Sequence, residues 1–525
     1  MPRSADSAIP RRPLRLIGGA AVALAIALLV GTLFWSILSA ASAQTSSGPT
    51  TDIGYLIYIT TLQASLSTVL SLVVGIALAW ALNRLRFPGR TLVIGLFASA
   101  IVTPGIVVAF GLIAVWGRSG WLGGLGVPIF GLGGVVAAHI ILDAAFAGRI
   151  LLARLDAIPE ARLKTGQSFA LSPLNRFAVI DWPAIRGTLP GLASIIFLLA
   201  FTSFPIVLLL GGGPAVQTLE VAIYAAARLD FDLVTAVTLA LIQIGICSAV
   251  IVAGAALAPV STSLDRPVTP RWQDAGAARA LQWLVLGLAL CGFAAPLLAV
   301  LIDGLAGLGD VLGDRAFWSA ALTSVTVGAA SALLALMLGL LVAAARAATT
   351  SRIARTAIGA PAYAYLAVPA VALALGAFLF VRNLGIVPDA IAPAIVVIAN
   401  ALLSLPFVMA AIAPPFDAIA RSRGRLIRSL GLGGTRQFAQ IEWPLIARDV
   451  GLVLALSFCF SLGDLGVIAL FDTQDFVTLP LLMVRALGAY RTNDAATIAA
   501  LMLVLTIAAF IALPALFERL SRARA

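Results

Sequence analysis

Uninterrupted apolar runs longer than about 18 residues recur from one end of this chain to the other, and a run of that length reads as a membrane span. The sequence predicts twelve spans. Six lie at about 16–39, 55–82, 92–115, 128–150, 187–211 and 233–258. Six more lie at about 280–302, 317–345, 357–381, 391–413, 449–471 and 495–517. Each can cross a hydrocarbon core of ~30 Å as a helix, which takes about 20 residues. Helices are expected because each satisfies its own backbone hydrogen bonds in lipid. The expected fold class is an all-α integral membrane protein with about 12 transmembrane helices. A soluble domain is excluded, since only 11% of residues are charged and 61% are hydrophobic.

Charge orients the spans. With the N-terminus in the cytoplasm, the cytoplasmic segments, together with Arg149 at the inner end of the fourth span, hold 28 of the 34 Lys and Arg. The outer segments keep only Arg118, Arg228, Arg315, Arg382, Arg485 and Arg491. That is a strong positive-inside bias, and it predicts both termini in the cytoplasm. The net charge of +11 is spread between spans and forms no aromatic-interleaved patch, so no nucleic-acid partner is expected. Cys247, Cys291 and Cys459 lie inside apolar runs without ligand spacing, which leaves them as core or lipid-facing residues. Ala41-Ser42-Ala43 imitates a signal-cleavage site, but the run before it is too long for a signal core, so the first helix is expected to be retained.

The chain repeats itself. Setting Pro183 on Pro444, a shift of 261, makes 11 of the 28 positions from 156 to 183 identical. Asp156-Ala157-Ile158 falls on Asp417-Ala418-Ile419, Phe177-Ala178 on Phe438-Ala439, and Trp182-Pro183 on Trp443-Pro444. Asp181 meets Glu442, the same charge. With small further shifts, Pro104 and Gly111 match Pro369 and Gly376, His139 matches Asn400, and Thr218-Leu219 matches Thr478-Leu479. Six spans per copy give two parallel six-helix repeats, 1–258 and 280–525, joined by a Pro- and Ser-bearing linker at 259–279.

The longest connections inside the repeats, 151–186 and 414–448, share one grammar. A helical stretch ends near Ala170 or Gly431; Gly431 suits a left-handed terminus and Ala170 does not, so a different turn is expected in the first copy. Ser172-Pro173 reads as a helix cap with proline in the first turn. A short amphipathic helix follows, with Phe177 and Ile180, or Phe438 and Ile441, on its apolar side. Trp182-Pro183 and Trp443-Pro444 are expected to end it at the membrane interface. Ordinary basic loops facing lipid would need no such side, which points to a docking surface.

This pattern resembles the EAA loop of ATP-binding-cassette importer permeases, which reads roughly Glu-Ala-Ala, three residues, Gly, nine residues, Ile, one residue, Leu-Pro. Here Ala170, Ile180, Trp182 and Pro183 keep that spacing, as do Gly431, Ile441, Trp443 and Pro444. The name-giving triplet is replaced by Lys164-Thr165-Gly166 and Arg425-Leu426-Ile427. The resemblance implies the type I importer permease fold and a coupling helix from each loop, with Asp181 and Glu442 beside it, seated on two copies of an ATPase subunit. ATP and Mg would belong to that partner, since Gly211-Gly212-Gly213-Pro214 lacks the Gly-Lys-Ser/Thr ending of a nucleotide loop. No cofactor is expected on this chain, and no enzyme activity, because the one histidine and scattered acids form no catalytic set. The resemblance also implies the bacterial inner membrane and a periplasmic solute-binding protein. The outer acids Asp230, Asp232, Asp472 and Asp475 are candidates for docking it.

Over nearly the full length, Leu85-Arg86-Phe87-Pro88-Gly89-Arg90, Trp116-Gly117-Arg118-Ser119-Gly120-Trp121 and Gly488-Ala489-Tyr490-Arg491 resemble fused thiamine-importer permeases. Fused ferric-iron permeases share part of this pattern and remain an alternative. A proton- or ion-coupled secondary transporter is the rival from another class, but such carriers show several buried ionisable residues. Here Asp143 and Asp464 are the carboxylates well inside spans; His139, Thr202, Ser203, Asn400 and Ser404 are the further polar positions. Two readings stand for them. They line a path for thiamine or its phosphates, with Asp464 offering negative charge to a thiazolium, or they make interhelical hydrogen bonds, with Asp143 and His139 satisfying each other.

Overall fold

The computed structural model describes residues 13–42, 52–213, 216–257, 272–473 and 476–522. Arg3, Arg11, Arg12, Ala43, Pro214, Asp475 and most of the linker lie outside these residues. Among them every regular element is helical.

In the first repeat α1 (Pro13–Ser42) and α2 (Ile53–Arg84) are long single helices. The third apolar stretch is two pieces, α3 (Arg90–Ser99) and α4 (Gly105–Trp116). Then come α5 (Leu132–Asp156), α6 (Glu160–Ser168) and α7 (Pro173–Ile185). The repeat ends with α8 (Leu189–Phe201), α9 (Pro205–Leu210), α10 (Leu219–Tyr224) and α11 (Leu233–Leu257). The second repeat starts with α12 (Gly276–Asp303), α13 (Leu308–Gly313), α14 (Arg315–Ala347), α15 (Arg352–Ala364) and α16 (Ala370–Asn383). It closes with α17 (Pro388–Ser429), α18 (Gly434–Leu462), α19 (Leu479–Gly488) and α20 (Thr492–Arg522).

All twelve apolar stretches are helical, but not all are single spans. Nine helices among the described residues are long and apolar enough to cross a membrane, or up to eleven if each bent pair is joined. The third stretch of each repeat breaks at the matched prolines. Pro104 and Pro369 sit in extended conformation just before α4 and α16, with ψ 133° and 153°. A proline also pushes the residue before it out of helical geometry, and Val368 is extended at φ −106°, ψ 107°. The second-repeat pair is bent by 103° there. The fifth stretch breaks at Thr202–Phe204, and Pro205 restarts the helix as α9.

By contacts the chain forms two compact units that are not the two sequence repeats. One comprises Met1–Ser46, Trp318–Leu479 and Leu505–Ala525; the other comprises Ser47–Phe317 and Pro480–Val504. The first helix of each repeat therefore belongs to the body of the other repeat. The matched glycines explain how. In one unit, a Cβ on Gly111 of α4 would lie 2.5 Å from the Pro296 carbonyl oxygen of α12. In the other, a Cβ on Gly376 of α16 would lie 3.2 Å from the Leu33 carbonyl oxygen of α1. Each glycine is the seat of a crossing helix.

A second matched contact sits at the start of two short helices, α10 and α19. The Leu219 amide at the start of α10 donates to the Thr60 hydroxyl at 3.0 Å, and the Leu479 amide at the start of α19 donates to Ser324 at 2.7 Å. A helix start leaves amides unsatisfied, and in each unit a hydroxyl from the long second helix of the repeat takes one.

Candidate coupling loops and substrate path

The two loops fold alike. The Leu171 amide reaches back to the Gly166 carbonyl at 3.3 Å, and the Leu432 amide to Ile427 at 3.1 Å, which is the closing bond of a Schellman turn. The residue inside each turn is left-handed: Gly431 at φ 63° and Ala170 at φ 48°. The expectation of a different first turn is corrected, since Ala170 takes the strained conformation. A left-handed L-residue costs about 1–2 kcal/mol. Ala170→Gly should therefore slow amide exchange in α6, while Gly431→Ala should speed exchange at the end of α17, each by the equivalent of about 1 kcal/mol. Exchange unchanged in both would remove the strain from this account.

After the turn, Ser172 caps α7 by accepting the Asn175 amide at 3.3 Å, with Pro173 in the first turn, as its sequence implies. The second loop uses Gly433 and a left-handed Gly434 instead. Neither short helix ends at Trp-Pro. Residues Phe177–Asp181 and Phe438–Glu442 form a π turn, in which the Trp182 and Trp443 amides bond to the Phe177 and Phe438 carbonyls. A proline in a helix has no amide to donate and its ring collides with the carbonyl four residues back. Widening the turn relieves that collision at Pro183 and Pro444. In the first loop the carbonyl released, on Val179, accepts Arg162 at 2.9 Å. The π turn also brings residues five apart together: Phe177 and Trp182 rings lie 6.4 Å apart, Phe438 and Trp443 6.1 Å.

Burial divides the anticipated docking residues. Ile180 and Ile441 are buried within their own units, as are Asp181 and Glu442. They hold the loops in place. Phe177 and Phe438 are half-buried. Trp182 is exposed, and further exposed apolar surface comes from residues not anticipated: Phe169 at 74% exposed and its counterpart Leu430 at 58%, with Leu174 and Val179 in the first loop. The available signal was a large apolar residue directly before the turn in both copies.

The buried acids anchor the loops to the membrane helices. Both Asp181 oxygens lie 2.5 Å from Arg84 Nη2, at the end of α2. Glu442 accepts Arg15 Nη1 at 2.7 Å, at the start of α1, and also bonds to Gln437. The matched acids that open the loops are tied as well: Asp156 accepts Asn83 at 2.8 Å, and Asp417 accepts Arg355 at 2.5 Å. Arg176, fully buried, pairs with Asp274 at 2.6 Å. Burial and the neighbouring Arg84 charge lower its pKa, while Asp274 and Asp181 raise it.

The path candidates fall into separate clusters. In one unit His139 Nδ1 lies 2.8 Å from the Val135 carbonyl oxygen and 3.2 Å from Gln63 Nε2, which donates to Ser67. No hydrogen bond joins His139 to Asp143 among the described contacts, so the pair do not satisfy each other; Asp143 Oδ2 is buried without a partner. Thr202 bonds back to Leu198, and Ser203 is buried at the break in the fifth stretch. In the other unit Asn400 donates to Ser461 at 3.0 Å, and Ser461 lies 3.3 Å from Ser331. Asp464 Oδ1 accepts the Val467 amide at 3.2 Å, while its Oδ2 is buried without a partner. Among the described residues no group of three His, Cys, Asp or Glu could hold a metal.

No protein-family model matches the chain. Relatives do. It is 36% identical over 459 residues to the thiamine transport system permease protein ThiP of Brucella melitensis, covering 85% of this chain and 84% of that protein. The chain belongs to the ThiP permease family. It is 34% identical over 459 residues to ThiP of Escherichia coli, across 84% of this chain and 85% of that one. ThiP of Haemophilus influenzae matches at 34% over 514 residues, 94% of this chain and 95% of the relative. The family membership and the apolar helices together make this chain a multi-pass membrane permease, and its relatives are transport components.

Proposed function

We propose that this chain is the membrane subunit of an ATP-driven importer that carries thiamine or its phosphates across the bacterial inner membrane. Two copies of a separate ATPase subunit would seat on the loops 151–186 and 414–448, on the cytoplasmic side, and a periplasmic binding protein would deliver the solute. The observation that supports it best is the duplication of one loop device: a left-handed turn, a short helix and a π turn at matched positions, with Phe169 and Leu430 exposed beside the turn. A basic loop that only faces lipid has no need of matched left-handed and π turns. Exposed apolar residues at the tip of an otherwise polar segment are what a partner's cleft would bury. For the cargo, the support is the name shared by the relatives, together with Asp464, whose free Oδ2 is an electrostatic match for a cationic thiazolium.

The test has two arms in the assembled importer. Phe169→Glu with Leu430→Glu should abolish co-purification of the ATPase subunit while the permease stays folded. Asp464→Asn, which keeps an oxygen to accept the Val467 amide, should weaken thiamine uptake by about tenfold, or about 1.4 kcal/mol. Retained association would sink the docking face, and undiminished uptake would remove Asp464 from the path.

A further inference from the structure

Each coupling loop is held by the start of a helix that belongs, in sequence, to the other repeat. On the first loop Arg176 donates to Asp274 at 2.6 Å, and Gln282 donates to the same Asp274 oxygen at 2.6 Å. The Arg176 guanidinium also lies 4.3 Å from the centre of the Trp272 ring. Asp274 precedes α12 by two residues and Gln282 lies in its second turn. The Trp272 ring closes over Gly166, where a Cβ would come within 3.0 Å of it and 2.5 Å of Ile180. On the second loop Arg15, in the first turn of α1, donates to Glu442 at 2.7 Å and to the Gly434 carbonyl at 2.9 Å. Helices α1 and α12 are the opening helices of the two repeats.

The two ties use different chemistry at matched places. In the first loop the cation is on the loop, and its counterpart at position 437 is Gln. In the second the cation is on the opening helix. Arg176 and Asp274 are nearly fully buried, so one left without the other would be strongly unfavourable. A loop that only needed stability could find it within its own repeat, as Asp181 does with Arg84. These ties instead reach the segment that leads into an opening helix.

We propose that Arg15 and the Trp272–Gln282 segment are positioning elements, which pass a push on each coupling loop directly into the opening helix of the other repeat. This rests on the coupling reading of the loops. Loosening a tie leaves the ATPase bound and working but lets its stroke slip.

The experiment uses the full importer in lipid vesicles, with charge reversals Arg176→Asp, Asp274→Arg, Arg15→Glu and Glu442→Arg, and each pair combined. Single reversals should retain the ATPase subunit and its hydrolysis, yet lower the solute moved per ATP by about tenfold. Each combined pair should recover most of that ratio. A normal ratio in the single reversals, or no recovery in both pairs, overturns the proposal. Amide exchange of the permease alone is the second measurement, and it does not depend on the motor. Residues 173–185 should lose protection in Arg176→Asp and regain it in the combined pair; unchanged exchange there overturns the tie. Should Phe169→Glu with Leu430→Glu leave the ATPase bound, the coupling reading fails by itself, and the exchange result still decides whether the tie exists.

Discussion

Asp181→Ala should destabilise this protein by about 3–5 kcal/mol, the loss expected when one partner of a buried ion pair is removed. Asp181 is fully buried and Arg84 is 3% exposed, so neither charge has water to fall back on. Removing the acid strands Arg84 beside Arg176, a second buried cation whose remaining partner is Asp274. The matched change, Glu442→Ala, should cost less, about 1–3 kcal/mol, because Arg15 is 19% exposed and can rehydrate. The measurement is the thermal midpoint of both variants in the same detergent. Equal losses would show that burial does not set the ranking. Asp181→Asn should fall between, since it keeps hydrogen bonds to Arg84 without the charge.

The second large effect lies at the helix crossings. Gly111→Ala should destabilise by about 1–3 kcal/mol, a typical overpacking penalty, and Gly111→Leu by more. The new Cβ would meet the carbonyl oxygen of Pro296 at 2.5 Å and its carbonyl carbon at 2.9 Å, and backbone cannot turn aside. Helix α12 has to move off α4. Gly376→Ala is the control. Its Cβ meets the tip of Ile37 and the Leu33 oxygen at 3.2 Å each, so a few tenths of an ångström of adjustment suffice. A smaller fall in thermal midpoint for Gly376→Ala is expected; an equal fall would mean the crossing on α1 is as rigid as that on α12.

Much of the loop device was legible because its cues are local. Ser172 before Pro173 announced a cap, and the cap is there. The 261-residue shift brought Ala170 onto Gly431, but the alanine side chain argued against a shared turn, and the left-handed Ala170 is visible only in the fold. What failed was inference across a helix turn. Ile180 and Ile441 were placed on the docking side from an ordinary helical period, yet the π turn re-aims that face, and both side chains turn inward. Trp182-Pro183 was expected to end the short helix at the membrane interface; the wider turn lets the helix pass through it.

The sequence by itself determined that the chain is helical and lives in a membrane, and that one loop pattern occurs in it twice. Apolar run length and internal identity are properties of neighbours along the chain, and they need no partner to be read. Only the tertiary structure decided which helices keep company. The opening helix of each repeat lies in the other repeat's body, seated on Gly111 or Gly376. It also decided which charges are paired: Arg84 with Asp181, Arg176 with Asp274, Arg15 with Glu442. These partners are 97, 98 and 427 residues apart. An isolated arginine in a basic loop looks like any other until folding removes the water around it, and only then does its partner matter.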